Sequence, residues 1–503
     1  MQFRAIILVT LVGIVGPSSA LAQPITNAYA VVYSTNTPAV SPDISGRNFG
    51  FELESIPDID GDGASDLLAS FSLPSSLTPR TWAVSGATGA ILFGLERVGR
   101  RYAVSVGVGW IEDRRADSAI LLLDGDTARI DGVDTVVVTV SSSADGSNLR
   151  TLVLPHPEGA AIGGTRAIEN AGDLDGDDVD DLWVTASYQY DAGDAEVTIA
   201  RAVSGAAGVI LWETELHDER TLFDIQPLTD QTGDGVRDFA ITLYSAQGGE
   251  PMPIPRVALF DGATGAHLRD LVAPIGASTA FGRAVAVTSE GVVAVGDDGY
   301  NLARGRVTLH DAQTGAHLTT VSAPDDRASH FGYDLLAGFD LSDDGVPDLV
   351  VSAPGSRAGL PGLEAPRTIA VMSESGAQTH WAVAGFESFA AITEDIGGAL
   401  ATVTFADGRR WVATSAPGRA VGGGIGVGTT TGQVLSFEPP TRCFFDITGD
   451  GAVNGADLGA LLGQWGQDDR ALTPLQAPAN FNSDPVVNAE DLGLLIANWG
   501  TCD

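Results

Sequence analysis

The sequence predicts a mainly β protein, a ring of repeated four-stranded units followed by a small α-helical domain, and three observations carry that expectation. Four acidic loops of one design each run straight into an apolar strand. Between them a strand, a glycine turn and a second strand recur as a phrase. The last stretch, residues 443–503, abandons strands for two related loop-and-helix segments.

The chain opens Met1-Gln2-Phe3-Arg4, runs through an apolar stretch from Ala5 to Val15, breaks at Gly16-Pro17 and reaches Ala20-Leu21-Ala22. This is the pattern of a secretory signal peptide over residues 1–22, with cleavage expected after Ala22. The apolar run is shorter than the roughly 20 residues a spanning helix needs, and no later run is long enough, so no membrane span is expected. The protein is expected to be secreted or held at the cell surface. A net charge of −38 argues against nucleic acid as a partner, because phosphate binding rests on clustered Lys and Arg. All 27 basic residues are Arg.

The acidic loops point to calcium. The first is Asp58-Ile-Asp60-Gly-Asp62-Gly-Ala64-Ser-Asp66 before LLASF, and the second is Asp173-Leu-Asp175-Gly-Asp177-Asp-Val179-Asp-Asp181 before LWVTAS. The third, Asp230, Thr232, Asp234, Asp238, and the fourth, Asp340, Ser342, Asp344, Asp348, keep the spacing 1, 3, 5, 9 with a hydroxyl at position 3. A hard cation takes six to eight oxygen ligands, and a backbone carbonyl at position 7 (Ala64, Val179, Val236, Val346) would add to each shell. Without an ion the carboxylates would repel one another. Asp and Gly also suit turns for conformational reasons alone. Four copies in one register, each feeding a strand, favour the metal.

The second phrase reads WAVSGATGAILF from 82, RAVSGAAGVILW from 201, VALFDGATGAHL from 257 and VTLHDAQTGAHL from 307. These are predicted hairpins. Weaker versions begin at 135 and 368, and one hairpin per unit gives repeats of about 50 to 60 residues, the size of one four-stranded propeller blade. Phe-Gly pairs at Phe49-Gly50, Phe281-Gly282 and Phe331-Gly332 mark unit starts, and Ser-Ala-Pro-Gly follows at 352 and 415.

With the acidic loops, these phrases resemble FG-GAP repeats, the blades of the integrin alpha-chain β-propeller and of many exported bacterial proteins, across residues 24–439. Six full units leave a seventh that stops before its last strand at Pro439-Pro440. The segment Asn27 to Tyr33 is expected to supply that strand and close a seven-bladed ring, hiding edges that would invite aggregation. Blades 1, 3, 4 and 6 carry acidic loops. Blade 2 has Glu112-Asp-Arg114-Arg115-Ala-Asp117 there, blade 5 Ser289-Glu-Gly291, and blade 7 Ala406-Asp-Gly408. The resemblance implies metal loops on one face of the ring, clipping strands within a blade.

After Glu438 to Arg442 come FFDITGDGAVNGADLGALLGQWG and ANFNSDPVVNAEDLGLLIANWG. Leu458, Leu461, Leu462 and Trp465 recur as Leu492, Leu495, Ile496 and Trp499, the i, i+3, i+4, i+7 stripe of a short helix. The first loop offers Asp446, Thr448, Asp450, the carbonyl of Ala452, Asn454 and Asp457, as in a shortened EF-hand. The second offers Asn480, Asn482, Asp484, Asn488 and Asp491, but Pro485 replaces the turn glycine, so its calcium should bind more weakly. The two halves resemble a type I dockerin, which implies a cohesin-like or cell-envelope protein as partner. The positions that contact cohesin in such modules, Gly455 and Ala456 or Ala489 and Glu490, do not match a familiar recognition pair. The only two cysteines, Cys443 and Cys502, bracket this domain and are expected to pair in an oxidising compartment. A disulfide-closed calcium domain without a partner is the alternative, since so short a segment needs staples to fold.

No His-Glu-x-x-His and no Gly-x-Ser-x-Gly stands in the chain, and His267 and His317 occupy equivalent hairpin positions, as repeat side chains do. No catalytic residue is assigned. The expected function is a calcium-binding propeller acting in surface attachment or extracellular assembly, with a glycan as a further candidate ligand. A polysaccharide-active hydrolase or lyase carrying the same tail is the alternative, because acid pairs for glycoside cleavage leave no sequence spacing to read.

Overall fold

The computed structural model describes residues 31–36, 49–71, 81–95, 103–106, 119–130, 133–142, 145–154, 161–189, 197–216, 219–245, 255–288, 291–323, 330–341, 347–354, 367–373, 379–385, 398–416, 433–437, 447, 452–466, 479, 486–497 and 499–501. Val31–Asn36 (β1) comes first. Phe49–Ile56 (β2), Asp66–Phe71 (β3), Thr81–Val84 (β4) and Ile91–Gly94 (β5) then pair in chain order as one antiparallel sheet. Ala103–Val106 (β6), Ala119–Ile130 (β7), Val133–Ser142 (β8) and Asn148–Leu154 (β9) form the next, followed by Ala161–Gly172 (β10), Asp181–Gln189 (β11), Val197–Val203 (β12) and Ile210–Leu216 (β13). Glu219–Pro227 (β14), Phe239–Ser245 (β15), Arg256–Phe260 (β16) and His267–Asp270 (β17) make the fourth sheet. Phe281–Val287 (β18), Val292–Asp297 (β19), Val307–Asp311 (β20) and His317–Val321 (β21) make the fifth. Leu335–Phe339 (β22), Asp348–Ala353 (β23), Arg367–Ser373 (β24) and Thr379–Gly385 (β25) make the sixth.

Leu400–Thr404 (β26), Arg410–Ala416 (β27) and Gln433–Phe437 (β28) supply three strands of the last four-stranded sheet, and β1 supplies the fourth. Among the described residues there are thus seven four-stranded sheets. The first strands of successive sheets touch one another in turn, from β2 through β6, β10, β14, β18 and β22 to β26, and β26 returns to β2. The fold is a β-propeller. Its closing strand spans Val31–Asn36 and pairs antiparallel with β28, Tyr33 opposite Ser436 and Asn36 opposite Gln433. It runs past Tyr33, where the segment expected from sequence ends, to Asn36, and residues 27–30 lie outside the described residues.

Burial explains why these strands read as continuous apolar runs rather than alternating ones. β12 and β23 are buried along their whole lengths, because each sheet is covered on both faces by its neighbours. The cores accordingly lie between sheets. Val138, Leu152 and Leu154 of one sheet pack with Ile168, Leu182 and Val184 of the next. Ala69 and Val84 of the first sheet meet Val403 and Ala413 of the last. Trp183 and Phe239 face each other at 4.7 Å, and Phe239 stacks on Phe260 at 5.4 Å. Each such ring contributes roughly 1.5 to 3 kcal/mol on burial.

The glycine-turn phrases are the β4–β5, β12–β13, β16–β17 and β20–β21 hairpins. One bond pattern serves all four: Ser85, Ser204, Asp261 and Asp311 each accept the N–H of the glycine four residues on, at 2.7 to 2.8 Å.

In the tail, Gly455–Gly463 and Ala489–Ala497 are helices, and Leu461 and Leu495 share a small core with Val453, Ala479 and Val487. Ala452–Val453 (β29) pairs with Gly500–Thr501 (β30), bringing the end of the chain against the first loop. Cys443 and Cys502 lie outside the described residues, as do Asn27 to Ala30 and the blade 2 segment from Glu112. Among the described residues no helix is long and apolar enough to cross a membrane.

Candidate metal loops

Each acidic loop joins the first strand of its sheet to the second, and the three that are fully described fold alike. The position 1 carboxylate organises the turn by collecting backbone N–H groups. Asp58 accepts from Gly61 (2.7 Å) and Gly63 (2.9 Å), Asp173 from Gly176 (2.7 Å) and Asp178 (3.0 Å), and Asp230 from Gly233 (2.6 Å) and Gly235 (2.8 Å). The position 5 carboxylates accept the N–H of position 7: Ala64 to Asp62 (3.0 Å), Val179 to Asp177 (2.9 Å) and Val236 to Asp234 (2.8 Å). The chain therefore coils around the acids. Position 6 requires a left-handed backbone, with φ of 90° at Gly63 and 88° at Gly235, whereas the second loop places Asp178 there at 67°.

Carboxylate oxygens of Asp58, Asp60 and Asp62 lie within 4.8 Å of one another, as do those of Asp173, Asp175 and Asp181. In the third loop Thr232 Oγ1 donates to Asp230 Oδ1 at 3.2 Å, so the hydroxyl stands where the first two loops have a second acid. Of the fourth loop Asp340 and Asp348 are described, while Ser342, Asp344 and Val346 are outside the described residues. In the tail Ala452, Asn454, Asp457, Asn488 and Asp491 are described, and Asp446, Thr448, Asp450, Asn480, Asn482 and Asp484 are not. Its two halves repeat one arrangement: Asn454 N–H donates to Asp457 and Asn488 N–H to Asp491, both at 2.8 Å. Asn454 also caps its helix by accepting from Ala456 N–H (2.7 Å), and Asp457 and Asp491 are fully buried.

Position 9 has a second task that its spacing does not announce. Asp66, Asp181, Asp238 and Asp348 have no exposed surface. One carboxylate oxygen binds back to position 2, from Ile59, Leu174, Gln231 and Leu341, at 2.6 to 2.8 Å. The other oxygen of Asp66, Asp181 and Asp238 accepts the N–H of Gly86, Gly205 and Gly262, each at 2.9 Å and each in the hairpin turn of its own sheet. The acidic loop and the glycine turn are one unit. Close approach dictates the glycine, for a Cβ at Gly86 would stand 1.8 Å from Ser65 O and one at Gly262 1.8 Å from Arg237 O. A signal was present in the Ser-Gly and Asp-Gly of the hairpin phrase, though nothing in sequence ties it to the loop.

These buried acids sit uneasily as anions. Burial pushes Asp66 up to about 6 against the hydrogen bonds from Ile59 and Gly86, and it also raises Asp181 and Asp238. Asp60 is raised, first by burial and then by repulsion from Asp62 and Asp58. Asp230 is held low by the N–H groups of Gly235 and Gly233. The donor set of each described loop is oxygen only, with neither His nor Cys, which suits a hard cation. Carboxylate oxygens that accept one N–H keep a further lone pair for a metal.

Sequence reading missed two half-buried acids outside the loops. Asp334, just after Phe331-Gly332, accepts from Leu400 N–H of the next sheet at 2.7 Å, and burial pushes it to about 6. Glu169, on β10, is pushed to about 7 by burial against the pull of a hydrogen bond from Asn170 and the charge of Arg237. His267 and His317 begin β17 and β21, and their rings pack edge-on against Phe260 and His310, each at 5.5 Å, as repeat positions should.

No protein-family model matches this chain, and no curated protein matches it. Among solved structures, the quinohemoprotein alcohol dehydrogenase of Comamonas testosteroni is similar at 10% identity, with a TM-score of 0.43 over 82% of this chain and 76% of that one. The Dos1 propeller is similar at 11% identity and a TM-score of 0.40, over 82% of this chain and 95% of its own.

Proposed function

We propose that this is an exported, calcium-binding, seven-bladed β-propeller of the FG-GAP kind, with a dockerin-like tail, acting in cell-surface attachment or extracellular assembly. The supporting observation is the recurrence of one loop geometry at three places. In each, position 1 winds the backbone, and in two of them three carboxylates converge while a buried position 9 acid carries an unfavourable charge. A cation would neutralise that convergence and favour the charged form of the buried acids, so binding would stabilise the fold by mass action. The repeat of the Asn454–Asp457 arrangement at Asn488–Asp491 supports the tail as a paired EF-hand-like module.

The role is structural first. Attachment is the reading we adopt. It is tested by presenting the mature chain to arrays of glycans and of purified envelope and cohesin-like proteins, in millimolar calcium and in chelator. Calcium-dependent capture that is lost in a variant carrying Asp446→Ala and Asp457→Ala supports docking through the tail. Release of sugars from a polysaccharide without such capture would overturn the attachment reading.

A further inference from the structure

The first acidic loop differs from the third in what lies on its far side. Residues Gly63, Ala64 and Ser65 form an edge against the turn between β26 and β27, in the sheet that joins the two ends of the propeller. Ser65 N–H donates to Thr404 O at 2.8 Å, and Ala406 N–H donates to Gly63 O at 2.8 Å. Thr404 N–H donates to Ser65 Oγ at 2.8 Å, across 339 residues of chain. Ala64 and Phe405 form an antiparallel bridge, and Ala64 is buried with Val403 and Trp411. The third loop reaches its neighbours through side chains, Arg237 to Asn170 O at 3.0 Å and Gln231 to Gln313 at 3.0 Å.

The inner side of the same loop is tied to its own sheet. Ser85 Oγ donates to Asp62 Oδ2 at 2.8 Å and Gly86 N–H to Asp66 Oδ1 at 2.9 Å. Positions 5 and 9 therefore hold the loop to the first sheet, while the residues between them hold it to the last. The last sheet contains β1, so among the described residues the seam is fastened by hydrogen bonds at β1 on β28 at the outer edge and at this loop near β26, besides the apolar packing of Ala69 and Val84 on Val403 and Ala413.

We propose that the first loop is the clasp of the ring, and that a cation bound there locks the seam between the last sheet and the first. This rests on the calcium reading of the loop. Winding the Asp58–Asp66 turn about an ion fixes the backbone of Gly63 to Ser65 in the conformation that pairs with Thr404 to Ala406. Loss of the ion frees that edge locally, while sheets remote from the seam keep their pairing.

Hydrogen exchange of the mature chain, read alongside a calorimetric count of bound calcium, tests this. Asp60→Ala and Asp175→Ala remove the same position from the first and second loops, and Ser65→Ala removes a seam hydrogen bond without touching a carboxylate. In the unaltered chain, calcium at ten times its dissociation constant should slow exchange at Thr404 and Ala406 about tenfold. Asp60→Ala should lose one ion and that protection, Asp175→Ala should lose one ion and keep it, and Ser65→Ala should keep every ion with weaker protection at Thr404. Seam protection that survives Asp60→Ala despite the lost ion, that fails equally in Asp175→Ala, or that is unchanged in Ser65→Ala would overturn the clasp while leaving calcium binding intact. A chain that binds no calcium at all would instead overturn the reading on which the clasp rests.

Discussion

Replacing Asp66 by Ala separates the two tasks of a position 9 acid. The side chain is fully buried and accepts from Ile59 N–H at 2.8 Å and Gly86 N–H at 2.9 Å, so truncation leaves one buried and one half-buried donor unpaired. At about 1 to 3 kcal/mol for each, the loss is roughly 2 to 6 kcal/mol. An opposing gain exists in the metal-free protein. The carboxyl sits near 6 instead of 3.8, so at neutral pH its charge already costs about 3 kcal/mol, which truncation relieves. In chelator at pH 7 the net effect should therefore lie between a gain of about 1 kcal/mol and a loss of about 3 kcal/mol. In calcium that relief disappears, because the ion favours the charged form, and a stabilisation of about 1.4 kcal/mol at tenfold excess is lost as well. Urea denaturation of the mature chain and of Asp66→Ala, each in chelator and in calcium, gives the four free energies. A penalty as large in chelator as in calcium would refute the reasoning, since Asp66 would then be a structural acid and nothing more.

Three further outcomes follow from the same geometry. In chelator, Asp66 and Asp334 have folded-state values near 6, above their unfolded value, so the stability they contribute is complete below about pH 4 and is lost as pH rises through 6; melting temperature should fall across that interval, and Asp334→Asn, which keeps an oxygen for Leu400 N–H, should flatten the slope. An unchanged slope in Asp334→Asn would count against this assignment. Gly262→Ala would force a Cβ to within 1.8 Å of Arg237 O, a backbone atom that cannot step aside, and should cost about 3 kcal/mol or prevent folding, read as loss of the cooperative melt. Asp178→Gly should do the reverse, raising stability by about 1 kcal/mol in a melt, because it removes a left-handed backbone penalty at φ 67° without taking away a residue at loop position 1, 3, 5, 7 or 9.

The fold was legible because the sequence repeats itself. One hairpin phrase in fixed register with one acidic loop predicts identical units, and the strand short in the last unit points to the chain's start for closure. The described part of that strand, Val31–Asn36, runs three residues past Tyr33, an end that the pairing with β28 sets and no local spacing announces. The loops were legible for the same reason that they are spaced 1, 3, 5, 9, a local pattern. The contacts that join Asp66 to Gly86, Ser65 to Thr404 and Asp334 to Leu400 were not, because each depends on two segments meeting in space without a local spacing rule. Half-buried Glu169 is equally silent in sequence, where an acid on an inner strand looks like any polar position.

The central claim is that the acidic loops hold calcium, and a thermal melt of the mature chain tests it most directly. Sites of extracellular type bind at roughly 0.1 to 1 mM, so the melting temperature should rise as calcium passes through that range and return on chelation, with a smaller rise when Asp60 and Asp175 are both replaced by Ala. Superimposable melting curves in chelator and in about 5 mM calcium would contradict it.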